Sequence, residues 1–399
     1  MANKIYDVNG NQLNIAGSSS AKELDYTDII FTIGYLYVRN DNGMLKLSID
    51  GGSTWTKSIN VSSIGLIKNI YVFKDLTLNV FTHTKAYYSD DWSTLHESTV
   101  LDADGSTYVP SATDTFTVTK TQADRTIIDG VEMYVFGNYN ITNENSSRKL
   151  IWYTKDSGHT YKVAYEFNIK GHRSIRHTHT VKYCEYDGTF WICTGDSASQ
   201  SYVFKGTYDM ANDSWSFADV GHSLDYKWAS LQFYGDRFYY CYDNTPAKVM
   251  SGKFGDEYDI SKQVAILEDL PNDAIGLFIG STGDMLVTLS IYRTGTSTSP
   301  NTAPQDCRRM YYSSDRVSFT EIMGSTLSEY NDANTIYYFF YGPNADGKIL
   351  ASLFSPTHEN LADCDKVPSV FLDDMVRKAG FPNAFIGGRP MLYTANQNS

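Results

Sequence analysis

Cysteine is scarce: five residues in 399, at Cys184, Cys193, Cys241, Cys307 and Cys364, with no Cys-x-x-Cys spacing. An odd, scattered set argues against a disulfide framework or a cysteine zinc site. Reduced thiols, buried as small hydrophobes, are the expected state. No block of Lys or Arg offsets the net charge of −13. Phosphate recognition needs a basic stripe, so nucleic acid is not expected as the main ligand. No apolar run is long enough to span a bilayer, so membrane insertion is not expected either. The opening residues 1–7 lack the apolar core of a secretory signal. The chain is expected to be made in a cytoplasm, with a bacterial cytoplasm as one location; if it acts outside a cell, it gets there another way, such as inside an assembled virus particle released by lysis. Linker composition is missing too: no Pro-rich, Gly/Ser-rich or single-sign stretch divides the chain.

What is abundant points to strands. There are 31 Tyr, 20 Phe and 6 Trp, with Val, Ile and Thr throughout. Such side chains suit a pleated, half-buried surface. The 29 Gly match the many tight turns of an all-β chain. One large unit is expected over residues 23–399, after a polar extension at 1–22. Residues 367–379 place apolar side chains at helical spacing before Gly380, which predicts one short C-terminal helix.

Internal repetition carries the fold reading. Ser48, Asp50, Gly52, Thr54 and Trp55 form a Ser/Thr-x-Asp-x-Gly-x-Thr-aromatic pattern, and Thr154, Asp156, Gly158, Thr160 and Tyr161 repeat it. The spacing has a physical reason. An Asp side chain bonds backbone N–H groups of its own turn, and Gly two residues on permits a positive φ. The Thr hydroxyl closes the turn, and the aromatic anchors the outgoing strand between sheets. Weaker copies follow at 89–95 (no Gly), at 313–319 (one residue short), and around Asn212-Asp213-Ser214-Trp215. Repeating units of roughly 40–65 residues, each of about four short strands, surround these turns. They cover 29–55, 71–95, 131–167, 180–217, 231–267 and 274–322, with a last one starting at Thr335 and including 348–354.

These two motifs are similar to the Asp-box, or bacterial neuraminidase repeat, and the chain resembles the sialidase-like Asp-box propellers. The resemblance implies an all-β propeller of seven blades, with six as the alternative. It also implies that ligands meet the face opposite the Asp-box turns, around the central channel. On that face the segment 171–180 is the most distinctive, with His172, Arg173, Arg176, His177 and His179. Strand periodicity puts His177 and His179 on one side, and Asp196 ends the next strand.

Three readings of this cluster stay open. It is a hydrogen-bonded polar plug. It is a sugar or uronate site, with Arg176 on a carboxylate and a His as base or acid. Or it is a metal site of His177, His179 and Asp196. The plug ranks first and the metal last, so neither metal nor cofactor is assigned. Other loops on that face offer Tyr226, Tyr242, Arg293, Arg309 and Tyr330. Segment 96–130, rich in Thr, Asp and Ser, is expected as a lobe over the channel or an interaction arm.

The sialidase signature Arg-Ile-Pro is absent, and the first unit holds only Arg39. Sialidase activity is therefore not expected, and fold does not carry function. Seven-bladed polysaccharide lyases work with His, Tyr and Arg. By that analogy His177, His179, Tyr242 and Arg309 are the candidate catalytic set, and His172, Arg173, Arg176, Asp196, Tyr226, Arg293 and Tyr330 the candidate ligand contacts. The opening Met-Ala-Asn-Lys-Ile-Tyr-Asp-Val-Asn-Gly-Asn-Gln-Leu resembles the starts of phage tail and fibre proteins. It implies a virion component that docks on virion structural proteins through 1–22, within an oligomeric assembly. Such a component binds host-surface glycan or a neighbouring subunit. The alternative is a glycan-degrading lyase or hydrolase.

Overall fold

The computed structural model describes residues 5–6, 12–13, 29–65, 67–110, 123–138, 148–167, 170–172, 175–244, 246–270, 274–289, 309–323, 336–341, 343–354, 370–371, 376 and 380–381. Regular structure in them is almost wholly β. Seven sheets follow one another along the chain, and strands within each are antiparallel neighbours in sequence order, apart from one parallel edge on the third. The first sheet pairs Ile29–Ile33, Leu36–Asp41, Met44–Ser48 and Lys57–Asn60. The fourth pairs His177–Cys184, Thr189–Gly195, Tyr202–Asp209 and Ser214–His222. The fifth pairs Trp228–Tyr234, Arg237–Tyr242, Ala247–Lys253 and Val264–Leu270. The last has three described strands, Ile336–Tyr341, Leu350–Phe354 and Val370–Phe371. Ahead of them all, Ile5–Tyr6 pairs with Gln12–Leu13.

The first strands of the first six sheets surround one cavity of about 230 Å³, to which they bring Phe31, Tyr71, Arg125, Lys182, Gln232 and Phe278. The first strands of sheets three to seven also touch in succession, and the last touches Ile29–Ile33. Gly34 N donates to the Pro343 carbonyl at 2.8 Å, and Asn344 Nδ2 to the Tyr37 hydroxyl at 2.7 Å, so the last sheet meets the first. Sheets arranged radially about a common axis make this an all-β propeller.

Inner strands are covered by neighbouring sheets on both faces, so they are apolar on both sides. Val131–Gly137 and Leu150–Thr154 are buried almost throughout. Trp152, Trp191 and Trp228 are fully buried between sheets. Cys184, Cys193 and Cys241 are free and buried. Burial pushes the Cys184 thiol up to about 12, so it is inert near neutral pH. Cys307 and Cys364 lie outside the described residues.

The turns expected to match do match. The two full motifs join the third and fourth strands of the first and third sheets. In the first, Thr54 N and Oγ1 donate to Asp50 at 2.8 and 2.6 Å, and Gly52 N donates to Ser48 Oγ at 2.8 Å. In the other, Thr160 N donates to Asp156 at 2.9 Å, and Gly158 N to Thr154 Oγ1 at 3.1 Å. The copies at Asp91 and Asp315 occupy the same corner of the second and sixth sheets, with turns one residue tighter. Their carboxylates accept from the amides of Ser93 and Thr94, and of Val317 and Ser318. Without Gly there, Trp92 and Arg316 take the left-handed conformation themselves, at φ 62° and 63°.

Two expectations are corrected. At the fourth sheet's corner the turn is made by Asp209, which accepts from the amides of Ala211 and Asn212. Asp213 instead reaches the third sheet, accepting from the Tyr153 hydroxyl at 2.9 Å and pairing with Lys155 and Lys162. As expected, Trp55 packs against the core, though only partly buried, with the Arg39 guanidinium 4.5 Å over its ring. Segment 96–130 is no free lobe at its ends. His96–Glu97 completes the second sheet, Thr99–Leu101 adds a parallel edge to the third, and Ala123–Ile128 is the third sheet's first strand. Residues 111–122 lie outside the described residues. So does most of the expected C-terminal helix, of which Val376 is described as helical and buried.

Candidate functional site

In a four-stranded meander the first-to-second and third-to-fourth turns share one face. The second-to-third loops and the links between sheets share the other. His177 opens the first strand of the fourth sheet and pairs with Gly195, which ends the second strand. Both therefore lie on the face opposite the acidic corner turns. A register shift between Thr178 and Thr180 bulges His179 out of the ladder. Bulges re-aim side chains, and here the imidazole turns over Gly195. A Cβ on Gly195 would lie 2.1 Å from His179 Cε1, so only glycine leaves room for the ring.

The two rings and Asp196 converge on one point. His179 Nε2 lies 3.0 Å from His177 Nε2 and 3.3 Å from Asp196 Oδ1. His177 Nε2 is 3.4 Å from the same oxygen. The second carboxylate oxygen accepts from Arg176 Nη1 at 3.0 Å. Both histidines are buried, while Asp196 is 34% exposed. Asp196 holds φ at 149°, where non-glycine residues are rare, and such conformations gather at functional sites. Burial raises the Asp196 carboxyl, but hydrogen bonds from His177 and His179 outweigh it and hold the group far below its usual range. Burial pushes His177 below the ordinary histidine value, against the pull of Asp196. A neutral His177 imidazole thus faces an ionised carboxylate.

The remaining candidates are dispersed. His172 stacks edge-on against Tyr202 and Phe204, and burial lowers it. Tyr226 is buried against Gly221 and stacks on Trp228, within the packing of the fourth and fifth sheets. Tyr242 ends the second strand of the fifth sheet on the same face as His177, and accepts from Asn244 Nδ2 at 3.2 Å. Arg309 starts the third strand of the sixth sheet. Arg173, Arg293 and Tyr330 lie outside the described residues. Among the described residues, the candidate set is brought together only at Arg176, His177, His179 and Asp196.

Gly195 adjoins Asp196 in the sequence, but the room it leaves for His179 shows only in the structure. Arg125, Lys182 and Gln232 line the central cavity and escaped a sequence reading that favoured loops. Alternation along the first strands was the usable signal. Arg125 pairs with Glu132 at 3.3 Å and Lys182 with Asp124 at 3.3 Å, so these charges are neutralised beside the cavity.

No family model matches the chain, and no curated protein matches it. Solved structures similar to it include the extracellular domain BT4673 from B. thetaiotaomicron, at 11% identity and TM-score 0.45, covering 81% of this chain. The chain spans 38% of that protein's length. YCF48, in a structure bound to D1 peptide, shares 10% identity over 86% of this chain and 94% of its own, at TM-score 0.47. The WD40 propeller domain of Doa1 shares 12% over 83% and 90%, at TM-score 0.41. These likenesses lie below the level at which a neighbour's role bears on this chain. The architecture itself makes the protein a β-propeller.

Proposed function

We propose that the protein is a non-catalytic recognition propeller: seven Asp-box-type blades closed into a wheel, serving in a phage tail or appendage, where it binds host-surface glycan or an adjoining subunit. One observation carries the non-catalytic part. His177 and His179, the only candidate bases that converge among the described residues, are buried and bonded to Asp196, with Arg176 on that carboxylate's other oxygen. Tyr242 stands on another sheet, with Asn244 as its hydrogen-bond partner. A uronate lyase needs Arg on the carboxylate and a base within reach of the α-proton. The virion part rests on the resemblance of the first 13 residues to tail and fibre proteins. Seven successive sheets, with the last meeting the first, support the closed wheel.

The wild-type chain is to be offered a broad panel of neutral, sialylated and uronate polymers, with both retention and turnover measured. Retention without turnover is expected. Turnover that disappears in a His177→Ala/His179→Ala variant would establish the glycan-degrading alternative instead. Removing residues 1–22 should abolish incorporation into particles while leaving glycan retention intact. Normal incorporation would defeat the docking role.

A further inference from the structure

We infer that His177, His179 and Asp196 form a binding site for a divalent transition-metal ion on the face opposite the corner turns. The case begins with the three donor atoms. His177 Nε2, His179 Nε2 and Asp196 Oδ1 are separated by 3.0, 3.3 and 3.4 Å, each close to both others. Donors bound about 2.0–2.1 Å from one ion, at angles near 90–110°, lie about 2.9–3.4 Å apart. The triangle is the size such an ion demands.

Chemistry points the same way. Two imidazole nitrogens and a carboxylate oxygen suit borderline divalent ions such as Zn²⁺ or Co²⁺, and ill suit Ca²⁺ or Mg²⁺, which take oxygen shells. Without a cation, two ring nitrogens and one oxygen share at most two protons in a buried corner. His179 Nδ1 is buried with no hydrogen-bond partner, so the ring's polar contacts are all made through the Nε2 that faces the other two donors.

The surrounding shell is built to hold this arrangement. Arg176 grips the other Asp196 oxygen and so orients Oδ1 toward the rings, as outer partners of metal ligands do. Gly195 leaves space for His179, and the bulge at Thr178/Thr180 aims it. Asp196, 34% exposed, leaves a side on which water can complete the shell. The ion would pin the start of the first strand to the end of the second. This inference is independent of whether the propeller binds glycan.

The full chain, treated with chelator and dialysed, is to be titrated with Co²⁺ alone. One equivalent with visible ligand-field absorption, displaced by Zn²⁺, is expected. Asp196→Asn and His179→Gln should each weaken Co²⁺ binding more than tenfold and abolish the band, while circular dichroism stays unchanged. His159→Gln, which alters the separate His159–Asp90 pair, should leave the band intact. Should the ring variants fail to fold, X-ray absorption on the Zn²⁺-loaded wild type reads the site directly, with two imidazoles expected. No Co²⁺ uptake by the wild type, a band that survives Asp196→Asn, or a zinc shell without two imidazoles would overturn the site.

Discussion

The turns at 48–55 and 154–161 spell one motif and make the same local bonds, yet they meet different surroundings. In both, the acidic side chain accepts from the amide four residues on. The first turn is the more exposed, with Trp55 only partly buried beneath Arg39. The second is wedged against the neighbouring sheet. Asn79 Nδ2 donates to the Ser157 carbonyl at 2.8 Å, and the Tyr161 hydroxyl donates to Asn79 Oδ1. Tyr161 is fully buried against Phe81 and Phe136. The motif therefore specifies a turn, while its energetic weight is set by what packs on it.

Gly158→Ala should separate the two turns most sharply. A Cβ there would sit 1.7 Å from Asn79 Oδ1, on a residue held at φ 83°. Left-handed strain of about 1–2 kcal/mol and overpacking of about 1–3 kcal/mol act together. Urea unfolding should show a loss of about 2–5 kcal/mol, against about 1–2 kcal/mol for Gly51→Ala, whose Cβ finds only Tyr35 at 3.8 Å. Equal losses would mean that the neighbouring sheet does not load the second turn.

The aromatic positions come next. Tyr161→Phe strands a buried acceptor on Asn79 and should destabilise the fold by about 1–3 kcal/mol. Trp55→Phe keeps a ring at a partly buried position and mainly weakens the cation–π contact with Arg39, so it should change stability by less than about 1 kcal/mol. Thermal melts of the two variants compare them directly. A Trp55 effect as large as that of Tyr161 would mean that both residues anchor alike.

Acid titration gives the smallest and most local contrast. Burial raises the Asp50 carboxyl, but bonds from Ser48 and Thr54 outweigh it and hold the group below its usual range. A depressed carboxyl contributes stability above its unfolded pKa, about 4, and that contribution is lost as pH falls through the folded value. The stability gap between wild type and Asp50→Asn should be widest near neutral pH and shrink below about pH 4. A gap constant from pH 7 to pH 3 would show that the hydroxyls of Ser48 and Thr54 do not depend on the charge.

Much of the fold was legible because its signals are local. A Ser or Thr, an Asp and a Gly within eight residues can satisfy one another without help, so Asp50 and Asp156 announced matching corners. Even the glycine-free copies at Asp91 and Asp315 keep the pattern, with Trp92 and Arg316 accepting the strained φ. The misplaced copy at Asp213 shows the limit. Its neighbours in sequence look right, but its partners Tyr153, Lys155 and Lys162 belong to another sheet. The site was legible in part. His177 and His179 were paired by strand alternation, and Asp196 was named with them. The bulge that turns His179 toward Asp196, and the seating of its ring over Gly195, have no sequence signature. The dispersal of Tyr226 and Tyr242 had none either.

By itself, the sequence determined that the chain would be a run of antiparallel sheets with acidic corner turns, because turns and two-residue alternation are short-range consequences of backbone sterics and hydrogen bonding. Only the tertiary structure decided which corners carry weight, which strands surround the cavity, and that two imidazoles share one carboxylate oxygen. Those outcomes depend on how whole sheets pack, and packing brings together residues whose separation along the chain carries no information about their distance in space.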